Sequence, residues 1–199
     1  MSRYEQTVEL IDHANSQDPN IEKDYDGSDI AKELLYGRRM ADMIERFAPD
    51  ADEVQKLSVR AQHIERWKSP RSDYPMDKKG YHLWRTKLYS FHAQKLADLM
   101  KQSGYGEEES NRALLAVGKK KLKSNADTQM LENIAALTFI EHYMLNFAGK
   151  HPEYSEEKWI EIIIKTWRKM SEDAQQFALD GNIKLPEPLI PLIQKALGA

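Results

Sequence analysis

The chain has 199 residues, enough to bury a core in one domain without staples. It has no cysteine, which excludes disulfides, a thiolate zinc site and a cysteine nucleophile, and suits a reducing compartment. With 29 lysines and arginines against 32 aspartates and glutamates, the formal charge is -3, which is not that of a chain built to coat nucleic acid.

The N-terminal "MSRYEQTVELIDHAN" lacks the apolar centre of a signal peptide. The longest uncharged apolar run, "IAALTFI" at 134–140, is too short to span a bilayer. A cytoplasmic protein with no membrane association is expected.

Apolar residues recur at helical spacing almost throughout, and no strict alternation appears, so the expected class is all-α. About seven helices in a single compact domain over 1–199 are expected. The core spans about 28–150, with an N-terminal helix at 2–16 and C-terminal helices at 155–197 packed onto it. In chain order, the first helix stops at "SQDPN", and Ser28 or Asp29 caps a second that ends at "APD". A third runs from Asp52 to Lys68. Pro70 and Pro75 then impose a non-helical crossing, because neither can donate a backbone hydrogen bond and each restricts the residue before it.

A fourth helix starts near Asp77 and ends at "SGYGEEE", a fifth covers Glu107 to Lys123, and a sixth runs from Asp127 to Gly149. A seventh follows from Ser155 to Ala178, before a short proline-bounded tail helix. The sixth is apolar on every side between Ile134 and Ile140, so it belongs in an interior, and its polar residues need partners.

Three features converge on one candidate site. His63 lies one helical turn before Trp67, and His92 sits among Leu88, Phe91, Leu96 and Leu99 on an inward helix face. With Glu132 they make a two-histidine, one-carboxylate set that suits one divalent zinc, iron or manganese ion. Each histidine also fits a core residue bonded to a backbone carbonyl, in which case no metal is held.

Around the pair stand Arg66, Arg71 and Arg85, whose planar guanidinium forks suit phosphate or carboxylate, so a small anionic or phosphorylated ligand is expected. Trp67 and Tyr74 would line the mouth, and Glu65 or Lys120 would move protons. The lysine run "KKKLK" at 119–123 reads more readily as a solvated helix end than as a nucleic-acid footprint. The oligomeric state is not set by the sequence.

The segments "RAQHIERWKSPRSDYPMDKKGYHLWRTKLYSFHAQKLADLM" and "LKSNADTQMLENIAALTFIEHYMLNFAGKH" resemble the family labelled domain of unknown function 4202, over almost the entire chain. A weaker resemblance joins "LLYGRRMADMIERFAPDADEVQKLSVRAQHI", "FHAQKLADLMKQSGY" and "LENIAAL" to the HD phosphohydrolase superfamily. That resemblance implies an HD-like helical scaffold and metal-dependent hydrolysis of a phosphorylated substrate. His63 would stand for the histidine of the histidine-aspartate pair, His92 for an additional histidine, and Glu132 or Asn133 for the late acidic position. Ile64 stands where the pair's aspartate would be, and Tyr36 replaces the first histidine. Two functions therefore follow from the sequence: a metal-dependent hydrolase, or a metal-free binding module for a nucleotide, RNA or an acidic partner. "KMSED" at 169–173 echoes a synthetase signature loop, but the parallel sheet such enzymes need has no counterpart in this pattern.

Overall fold

The computed structural model describes residues 1–122 and 124–198. It divides into two compact units, Met1–Leu131 and Glu132–Ala199. The expectation of an all-α protein is met apart from one two-stranded hairpin, and ten α-helices stand among the described residues rather than about seven. Among the described residues no helix is long and apolar enough to cross a membrane.

The first unit opens with α1, Arg3–Ser16, started by a capping box between Ser2 and Glu5. Its stripe of Thr7, Ile11 and Asn15 is buried. The strands β1, Ile21–Lys23, and β2, Asp29–Ala31, pair antiparallel with Glu22 opposite Ile30. They lie between the first two helices, three residues each being too short to show a period of two.

Next comes α2, Lys32–Phe47. Neither Ser28 nor Asp29 caps it: Asp18, buried and distant in sequence, accepts the Glu33 N–H at 3.1 Å. Helix α3, Glu53–Arg60, starts at the expected Asp52, with Gln55 completing the box. It ends eight residues before Lys68. The Glu65 N–H is taken by Asn15 Oδ1 of α1 at 3.0 Å, and Glu65 itself adopts a left-handed φ of 52°. A single 3₁₀ turn, Arg66–Lys68, follows.

The proline corner leads to α4, Lys78–Gln102, capped by Asp77 as expected. Gly80 is essential to that corner, because a Cβ there would lie 2.0 Å from the Pro75 carbonyl oxygen. Trp84, Leu88, His92, Leu96 and Met100 recur every four residues and form the buried face of α4. That face packs along α5, Glu107–Val117. Helix α5 stops six residues short of Lys123, since Lys119 and Lys121 both take left-handed φ values. Lys123 itself lies outside the described residues.

The boundary between units falls within α6, Ala126–Thr138. The stretch read as continuous to Gly149 changes to a π-helical turn at Phe139–Tyr143, then to α7, Met144–Lys150. The long seventh helix is two, α8, Glu156–Trp167, and α9, Glu172–Leu179. Ser171 caps α9, and Asn133 both donates to its Oγ at 2.9 Å and accepts its N–H at 2.8 Å. The "KMSED" segment is therefore a helix start. The tail helix α10, Ile190–Leu197, packs on α8.

Candidate functional site

The first unit gathers His63, Arg66, Arg85 and His92 with three residues the sequence reading did not select as site residues, Glu33, Tyr36 and Lys119. Glu33 and Tyr36 are on α2, His63 and Arg66 leave the end of α3, Arg85 and His92 sit two turns apart on α4, and Lys119 follows α5. The Tyr36 ring stacks on His63 at 4.2 Å between centroids, and its hydroxyl donates to Gln62 Oε1 at 2.6 Å. The two histidine rings stand 6.1 Å apart.

Hydrogen bonding settles the state of both imidazoles. Arg66 Nη1 lies 2.8 Å from His63 Nε2; a guanidinium only donates, so Nε2 is the acceptor. The proton is then on Nδ1, which faces Glu33 Oε2 at 3.5 Å. His92 Nδ1 lies 2.8 Å from the Ile64 carbonyl, which only accepts, so Nδ1 donates. His92 Nε2 is then a buried lone pair without a hydrogen-bond partner. Ile64, the residue in the place of a ligating aspartate, thus tethers His92 through its backbone while its side chain is fully buried.

Burial first, and then Arg66, Lys119, Arg85 and Lys32, hold the His63 pKa well below the ordinary value, so the ring is neutral at neutral pH. Burial and the neighbouring His63 push His92 down to about 3. Against these cations stands Glu33, whose own pKa burial raises toward the neutral form. The guanidiniums meet neutral acceptors. Arg66 bonds the His63 ring and lies over Trp84 at 5.2 Å, while Arg85 donates to the hydroxyls of Tyr81 and Tyr89. Lys119 Nζ lies 5.3 Å over the Tyr89 ring.

Of the other sequence-selected residues, Arg71 and Tyr74 bond within the proline corner. Arg71 donates to the Tyr74 and Asp77 carbonyls at 3.0 and 3.2 Å, which locks the proline corner. The Tyr74 hydroxyl stands 3.4 Å from Ser69 Oγ, and Trp84 Nε1 donates to the Ser69 carbonyl. Trp67 is half-buried on the 3₁₀ turn, and Lys120 is exposed. Although burial favours its neutral form, Glu65 is held below the usual carboxylate range by Lys68 and Lys95, at 2.7 and 3.3 Å.

Glu132 belongs to the second unit, where it is buried with Lys169 Nζ 4.0 Å from its Oε2. The cation beside this buried acid is a lysine, not a histidine, an arginine or a metal ion. Asn133 is occupied by Ser171. Among the described residues no group of three histidines or carboxylates is disposed to hold a metal ion.

The fold and site define a largely helical protein with a cluster of cations around a neutral histidine. The family model described as "Domain of unknown function (DUF4202)" matches residues 5–193, and the chain belongs to that family. Neither the curated proteins nor the solved structures compared with the chain give a match, so the likeness to the HD superfamily gains no support from them.

Proposed function

We propose that this protein binds a small phosphorylated or otherwise anionic ligand at the His63, Arg66 and Arg85 cluster, without requiring a metal. One observation carries the reading: Arg66 and Arg85 make their hydrogen bonds to neutral partners, an imidazole and two phenols. Guanidinium forks beside Lys119 and a neutral ring form a net positive surface, and an anion would give those forks an oppositely charged acceptor in place of uncharged ones. The left-handed backbone at Glu65 and Lys119 supports the reading, since strained conformations at non-glycine residues cluster at binding sites.

The test is calorimetric titration with pyrophosphate and with mononucleotides. Arg66→Gln and Arg85→Gln should each weaken binding about tenfold or more, the loss of one charged hydrogen bond. Arg71→Gln should leave affinity unchanged, because its guanidinium holds the Tyr74 and Asp77 carbonyls. A folded wild type that binds none of these anions at millimolar concentration would overturn the proposal.

A second reading, a metal-dependent hydrolase, draws on the free lone pair of His92 and on Glu33 beside His63. The donor set within the first unit would then be His63, His92 and Glu33. It does not fit as it stands: with Arg66 on Nε2 and the proton on Nδ1, His63 has no lone pair to give. Elemental analysis of untagged protein decides between the two readings. About one equivalent of zinc, iron or manganese, lost in His63→Ala and His92→Ala, would favour the hydrolase.

A further inference from the structure

The second unit holds a cavity of about 840 Å³ that none of the site residues above touches. Ile164 and Trp167 of α8, Leu179 of α9 and Ile193 of α10 supply its apolar walls, and Ile183 closes the stretch between α9 and α10. Its volume lies in the range of small-molecule sites, roughly 300–1,000 Å³. No aspartate or glutamate lines it, and its one charged lining residue is Arg168. Among the described residues Arg168 makes no ion pair.

We infer that this groove takes a single-chain amphiphile with an anionic head, the acyl chain along Ile164, Trp167 and Ile193 and the head against Arg168. Charge complementarity points to the head: an unpaired guanidinium at an apolar wall without carboxylates favours an anion. The dimensions point to the chain rather than to a second copy. The groove is bounded by α10, eight residues or about 12 Å long, whereas a stable dimer buries about 800 Å² on each partner. Leu179, 62% exposed, extends the apolar surface at the edge of the groove.

Trp167 provides the readout. Titrating the full chain with laurate below its micellar concentration should shift the tryptophan emission to the blue, and Trp167→Phe should remove the shift. Arg168→Gln should weaken laurate about tenfold while leaving dodecanol unchanged, and Leu179→Glu, at an exposed position that folding tolerates, should weaken both. Dodecyl phosphate in place of laurate separates a carboxylate head from a phosphate head, and preferential binding of either over dodecanol supports the inference. Three results would overturn it: no response to laurate by folded wild type, equal affinity for laurate and dodecanol in wild type, or a concentration-dependent dimer in sedimentation that Leu179→Glu dissolves.

Discussion

His63 and His92 show how one residue type acquires two roles from its neighbours. Both are desolvated and neutral, yet His63 spends its lone pair on Arg66, whereas His92 spends its proton on Ile64 and keeps a lone pair. The burial of His92 was legible in the sequence, because inward spacing on a helix is local information, whereas His63 lies in the turn beyond the end of α3. The sequence could not supply Glu33, which reads as an ordinary acid in the first turn of a helix until the fold buries it to 5% exposure. A depressed histidine pKa means that the unfolded chain binds the proton more readily than the folded one. Stability is therefore held above the unfolded value near 6.5 and falls as the pH drops toward the folded value. For His92, from 6.5 toward about 3, that amounts to about 2 kcal/mol by pH 5. Urea denaturation at pH 7 and pH 5 should show this loss, and His92→Gln should remove much of it; an unchanged pH difference in the variant would contradict the account.

At the level of elements, starts were more legible than ends. Ser2, Asp52, Asp77 and Ser155 each accept a hydrogen bond from the first turn of the helix they begin, because a cap and its helix are contiguous. The ends of α3 and α5 depend on distant partners or on left-handed residues other than glycine, which carry no such local signal. Two element-scale consequences can be measured. Gly80→Ala forces the Pro75 carbonyl away from α4 and should cost about 1–3 kcal/mol in urea denaturation, with disturbance of the Trp84 environment visible in fluorescence. Arg112 binds Asp127 at 2.8 Å and Asp52 at 2.6 Å, joining the starts of α3 and α6 to α5. Arg112→Met would leave the buried Asp127 carboxylate with Gln55 alone and should destabilise the chain by about 2–3 kcal/mol, much of it recovered by adding Asp127→Asn. A loss below about 0.5 kcal/mol would show that the network is only a surface pairing.

For the whole molecule, a formal charge of -3 means that anions are not drawn in by the overall field, so the proposed ligand site works through local cations. Raising the salt from about 50 to 500 mM should therefore weaken pyrophosphate binding, as the Debye length shrinks from well over 10 Å to a few ångströms. Insensitivity to salt would point to recognition by shape instead. Composition, helical periodicity and caps, all properties of short segments, determined that this chain is largely helical, and they placed His63, His92 and the arginines near one another in expectation. Only the tertiary structure decided that Glu33 faces His63, that Arg71 and Tyr74 hold a corner, and that an apolar groove forms against Arg168. Those outcomes rest on contacts between residues far apart in the chain, where burial and hydrogen-bond partners are assigned by packing and leave no trace in local spacing.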